Sequence, residues 1–320
     1  MIHDMLTTRL SGLAAVLLCL FVSGCSRADS ATQAQNPSAP PLEFLGQWGV
    51  KGDGPGQLDD PEGITTDSLG NIYIADAGSR FVHKFSPSGT PLLSFQDDAL
   101  KEPESIAVDS YGSIYVTDPS RSAVFIFFPD DEHEHHHELR LRTKTSAENS
   151  LSIAVDDDDL IYVFDENAGK VFTFSPRFRL ERSWAPLAAN SSDKKSDAAK
   201  GPLRLGGDNY LYIADLGGNR ILRFSTDGHF LAGIAPPAVQ ADPKISDEFA
   251  VSRSYIFVMD ANGSMLHIWT PDGAPKLDVD LADKLGQTHR LPPYLAVSPR
   301  RELFVLDSLG PHVLRYRINF

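Results

Sequence analysis

The chain has 320 residues, a net charge of −14 and a pI near 5.1. That length suits one large all-β domain plus an export segment, and the acidic balance repels a polyanion, which argues against nucleic acid as a partner. Its two cysteines, Cys19 and Cys25, both fall near the N-terminus, so the rest of the chain has neither a disulfide nor a thiolate metal site.

In chain order, the first element is the apolar run LSGLAAVLLCLFV over residues 10–22, with Arg9 ahead of it. It is shorter than a bilayer-spanning helix and fits the core of a signal peptide. Val22-Ser23-Gly24-Cys25 follows directly and resembles the lipobox of bacterial lipoproteins. The resemblance implies removal of residues 1–24 as a signal peptide and lipidation of Cys25, with palmitate or a similar acyl chain. It also implies an extracytoplasmic protein held on a cell-envelope membrane. Ser26 after the cysteine favours the outer membrane where the cell has one. Residues 25–40 carry the lipidated cysteine and a small, polar stretch that cannot bury enough apolar surface to fold; they are expected to form a flexible tether.

Residues 41–320 contain a repeat. The segments NIYIAD (71–76), SIYVTD (113–118), LIYVFD (160–165), YLYIAD (210–215), YIFVMD (255–260) and ELFVLD (302–307) end in aspartates 42 to 50 residues apart. That period suits a four-stranded propeller blade. In each unit an apolar strand comes first, then a turn, the motif strand, a polar loop, a third strand, and a PSG, TDG or PDG turn into a fourth. The segment 52–76 (GDGPGQLDDPEGITTDSLGNIYIAD) resembles the NHL repeat. PESIAVDSYGSIYVTD (103–118) and LYIADLGGNRILRFS (211–225) resemble it as well. The expected fold is therefore all-β, a six-bladed NHL-like β-propeller. The sixth unit stops after its third strand at Phe320, while an unassigned strand, LEFLGQW, lies at 42–48. The N-terminal strand is expected to complete the last blade and close the ring, which removes open sheet edges.

Resemblance to six-bladed propeller enzymes directs attention to the start of each innermost strand, two residues before its first apolar position. Glu62 and Glu104 occupy that place in the first two units, and Glu62 resembles the metal-ligand Glu of the gluconolactonase family. The later units offer Leu151, Gly201, either Asp247 or Glu248, and Pro293. The Asn and Asp ligands that the family resemblance calls for are missing, so no catalytic residue is assigned and no cofactor is required. Glu62 and Glu104 stand either as solvated carboxylates on the rim or as a channel-mouth binding site, with Ca²⁺ as one occupant. The run DDEHEHHHE (130–138) places His133, His135, His136 and His137 in an outer turn of the second unit. Imidazoles there suit weak binding of Zn²⁺, Cu²⁺ or Ni²⁺. Three functions compete: a membrane-anchored binding scaffold that takes a protein or ligand at the mouth, a metal-dependent lactonase or lyase, and an envelope metal-binding protein.

Overall fold

The computed structural model describes residues 39–129, 136–141, 150–186, 199, 201–236, 244–285, 293–307 and 309–320. Its strands form six four-stranded antiparallel sheets, and the chain is a six-bladed β-propeller. Blade 1 holds β2 (Pro61–Thr66), β3 (Ile72–Asp76), β4 (Phe81–Phe85) and β5 (Pro91–Gln96). Blade 2 holds β6 (Ile106–Val108), β7 (Ile114–Asp118), β8 (Ala123–Phe127) and β9 (His136–Arg140). In blade 3 come β10 (Leu151–Val155), β11 (Ile161–Asp165), β12 (Lys170–Phe174) and β13 (Leu180–Trp184). Blade 4 follows with β14 (Leu203–Leu205), β15 (Leu211–Asp215), β16 (Arg220–Phe224) and β17 (Phe230–Ile234). Blade 5 comprises β18 (Ile245–Val251), β19 (Ile256–Asp260), β20 (Met265–Trp269) and β21 (Pro275–Asp280).

The last blade is assembled from both ends of the chain. It contains β22 (Tyr294–Ser298), β23 (Glu302–Asp307), β24 (His312–Ile318) and, as its outer strand, β1 (Leu42–Trp48). β1 runs antiparallel to β24, from Leu42 opposite Ile318 to Trp48 opposite Val313. Asn319 reinforces the seam: its backbone N–H donates to Pro41 O at 2.9 Å and its side-chain amide donates to Pro40 O at 2.9 Å. Innermost strands touch around the whole circle, β2 meeting both β6 and β22.

The motif strands β3, β7, β11, β15, β19 and β23 are buried at every position, because each lies in a sheet packed on both faces. The core accordingly divides into six apolar clusters, each between two adjacent blades. One of them joins Ile72, Ile74 and Phe85 of blade 1 to Phe304, Leu306 and Val313 of blade 6. Trp48 on β1 stacks near Phe85 at 4.8 Å, and Trp184 on β13 meets Phe224 of blade 4 at 5.1 Å. Gly89 and Gly228, in the turns before the fourth strands, have φ of +85° and +93°. A Cβ on them would lie 2.2 and 2.7 Å from the Trp48 and Trp184 rings. Those turns demand glycine both for the backbone and for the indole beside it.

The aspartates that end the motif strands are structural. Asp76 accepts the N–H groups of Asp59, Asp60 and Ser79 at 2.7 to 3.1 Å. Asp118 accepts those of Lys101 and Glu102 at 2.6 and 3.2 Å. Each thereby fixes the chain arriving at its own innermost strand. In the later blades the same aspartates hold the following turn, as Asp260 does through Ser264 and Met265 N–H. These carboxylates satisfy backbone donors that tight turns would otherwise bury unpaired.

Candidate functional site

The innermost strands all begin at one end of the central channel, and two β-bulges aim carboxylates into it. Pairing of β2 with β3 shifts register between Pro61 and Gly63, which swings Glu62 out of the ladder. Gly63 is required beside it, because a Cβ there would stand 2.1 Å from the Glu104 carbonyl oxygen. Glu104 precedes β6 and reaches blade 3, where the Ser150 hydroxyl donates to Oε1 at 2.7 Å and the Leu151 N–H to Oε2 at 3.2 Å. In blade 5 the register shift between Ile245 and Phe249 turns Glu248 inward, leaving it 7 % exposed, while Asp247 stays exposed. Arg204, in the middle of β14, donates to Glu248 Oε2 at 3.3 Å. Tyr294 opens β22 in blade 6.

Glu62, Glu104, Arg204, Glu248 and Tyr294 line one cavity of about 1010 Å³, at the upper end of the size range of small-molecule sites. Ser150, Glu166 and Asp247 border it at the same end, and Arg253 and Arg301 line it beyond the far ends of the inner strands.

The charges interact across the lumen. Burial pushes Glu62 up to about 7, helped by Asp60, Glu102 and Asp76. Burial also lifts Glu104 to about 7; its bonds to Ser150 and Leu151 oppose the rise, while Glu62 and Glu166 add to it. Glu248 is pushed to about 8 by burial against the pull of Arg204, with Asp247 and Glu104 contributing. Tyr294 is raised by burial first, then by Glu248, Glu62, Glu104 and Asp247. Glu104 thus feels Glu62 and Glu248 feels Glu104, so the acids of neighbouring and facing blades oppose ionisation within one lumen.

Glu62 and Glu104 therefore come together as the repeat positions suggested, but Glu104 is a tethered lumen group rather than a solvated rim residue. The equivalent counting fails in blades 3 and 4. Leu151 is fully buried core, and Gly201, at φ +137°, is crowded by Ala214; Ser150 and Arg204 supply the polar groups there. Arg204 had a signal of its own, a lone charge in the inner strand LRL.

The remaining candidates divide. Cys25, His133 and His135 lie outside the described residues. His136, first in β9, places Nδ1 2.7 Å from Asp97 Oδ2, at the exit of blade 1. His137 stacks on Phe178 of blade 3 at 4.6 Å. Consecutive strand residues face opposite ways, so these two imidazoles serve as struts to different neighbours and do not converge on a single ion. Among the described residues, no group of three or more His, Cys, Asp or Glu side chains is placed to hold one metal ion. His83 is structural as well: it is fully buried, it sits 2.9 Å from Ser94 Oγ, and burial drives it down to about 4.

A family model described as a beta-propeller repeat matches residues 45–75. The NHL resemblance is compatible with that match, which specifies no narrower class. Solved structures extend the likeness around the ring. A streptogramin B lyase structure superposes with a TM-score of 0.58 at 16% identity, covering 87% of each chain. Selenomethionine-substituted virginiamycin B lyase from Staphylococcus aureus gives 0.55 at 14% identity, covering 87% of this chain and 89% of that one. A catalytically inactive histidine-to-alanine variant of the same lyase with quinupristin gives 0.54 at 14% identity, covering 82% and 85%. Likeness at such identity establishes the fold and nothing finer. No curated protein matches the sequence.

Proposed function

We propose that this propeller is a binding module of the cell envelope, held to a membrane through lipid on Cys25 and taking its ligand or partner at the channel end that carries Glu62 and Glu104. One observation carries the reading. The Glu62 carboxylate faces a large lumen in a strongly acidic setting, with no hydrogen-bond or ion-pair partner among the described residues. An ionised group so placed gains most from an incoming positive charge.

A lyase reading draws on the structural neighbours. The variant described as inactive has lost a histidine, whereas no histidine is among the described residues that line this lumen. Carboxylates tuned near neutrality suit proton transfer, yet the described lining residues include no histidine to act as a base beside them. Binding is therefore the reading we advance.

Retention of material from an envelope extract tests it. Immobilised wild type is expected to retain a ligand that the Glu62→Gln/Glu104→Gln variant does not, with both proteins melting alike. Equal retention by the two, or turnover of a lactone or depsipeptide abolished by Glu62→Gln, would overturn this function.

A further inference from the structure

We propose that the lumen takes a small organic cation bearing two or more ammonium groups, gripped by Glu62, Glu104 and Glu248 beside the ring of Tyr294. This rests on the channel being a binding site and names the chemistry of its ligand.

Three polar groups reach the lumen without a hydrogen-bond partner among the described residues: the Glu62 carboxylate, Oε1 of Glu248 and the Tyr294 hydroxyl. Glu248 is the most informative. It is more than nine-tenths buried, and the Arg204 guanidinium engages only its Oε2. Buried charges in native proteins are normally fully hydrogen-bonded, so an oxygen left open toward a cavity marks a place for a donor. Counter-charge is short at this end. Carboxylates of Glu62, Glu104, Asp247 and Glu248 border it, and among the described lining residues only Arg204 answers them there.

The spacing selects the class of cation. These acids come from different blades, and no three described side chains of the metal-ligating types are placed around one ion. A Ca²⁺ shell needs its oxygens gathered within about 2.3–2.6 Å of one point. Positive charges separated by a carbon chain match a ring of separated carboxylates better. Tyr294 lines the same cavity, and an aromatic ring there attracts an alkylammonium through its quadrupole.

Calorimetry on the full-length chain in detergent at about pH 8 tests the assignment, with 1,4-diaminobutane, a linear triamine, n-butylamine and Ca²⁺ as probes. The polyamines are expected to bind one to one, at least about tenfold tighter than n-butylamine, a gap of about 1.4 kcal/mol. Glu62→Gln and Glu248→Gln should each weaken the diamine about tenfold or more. Binding should fade toward about pH 5 as the collar takes up protons. Thermal melting of each variant confirms that it is folded; Glu62→Gln removes no bond that the fold uses. Equal affinity for n-butylamine and the diamine, displacement of the diamine by Ca²⁺ at matched ionic strength, or variants that bind like wild type would each overturn the proposal. If amines fail while Glu62→Gln/Glu104→Gln still loses its envelope ligand, the cation class is wrong and the binding module stands. If both fail, both readings fall.

Discussion

A single carboxylate can shape a turn and seat a phenol at once. Asp109 accepts the N–H groups of Tyr111 and Ser113 and the hydroxyl of Tyr115. Asp67 with Tyr73 and Asp156 with Tyr162 repeat the arrangement, and Asp208 holds Tyr212 at 2.7 Å. In blades 5 and 6 both partners change together, to Ser252 with Phe257 and Ser298 with Phe304. The physical reason is that a buried hydroxyl needs its acceptor. Tyr115→Phe is expected to cost about 1 kcal/mol. Asp109→Ser should cost more, because it strands the Tyr115 hydroxyl, while a serine there can still take turn N–H groups as Ser252 does. The double variant should cost less than the sum, a coupling that a urea-denaturation cycle reads directly; strict additivity would refute the pairing. The lumen acids carry a second expectation. Glu62 and Glu104 rise to about 7 and Glu248 to about 8, from an ordinary 4.5. Between those values the folded chain holds protons that the unfolded chain has released. Their contribution to stability is therefore intact below about pH 4.5 and declines as pH rises through 7 to 8. Urea midpoints at about pH 5, 7 and 9 should fall across that window, and Glu62→Gln with Glu248→Gln should flatten the fall. A wild-type profile that the double substitution leaves unchanged contradicts this.

Strands show why some of the site was legible and some was not. The motif strands and the orphan strand at 42–48 announce themselves through local pattern, since full burial forces consecutive apolar residues and a missing fourth strand must be found elsewhere. Glu62 was visible because a proline and a glycine flank it. Glu248 could not be separated from Asp247, and Arg204 was not visible at all by strand position. Counting from the first apolar residue assumes a regular start, and the bulge between Ile245 and Phe249 removes that regularity. Arg204 lies inside its strand, where no rule about strand beginnings reaches. Gly63→Ala tests the close approach that positions Glu62. With the Glu104 carbonyl 2.1 Å from the added Cβ, β2 must shift, at a cost of about 1–3 kcal/mol. It should also change ligand binding at the collar; a fully stable Gly63→Ala protein would mean that β2 and the Glu104 segment separate easily. Deleting residues 41–48 removes β1 together with the Trp48 contact on Phe85. That truncation is expected to melt lower or aggregate, whereas deleting 27–38 should leave melting unchanged. Equal melting of the two would refute closure by β1.

At the scale of the whole molecule, six inter-blade clusters form a closed cycle, so no blade is structurally terminal. The lipid anchor is tested at this scale too. Cys25→Ser should move the protein from the membrane fraction to the soluble fraction, since acyl chains supply the proposed attachment; a wild type that fractionates like the variant would refute lipidation. The seam between β1 and β24 has a further consequence, in time rather than in space. Leu42 pairs with Ile318, the two ends of the folded sequence. A chain made or exported from its N-terminus therefore presents β1 early and must keep it unpaired until nearly every other residue has followed. Throughout that interval an apolar, half-formed edge is open to wrong partners. Closure waits for β24, so a premature stop after the fifth blade discards not one blade alone but the joint that holds the circle shut.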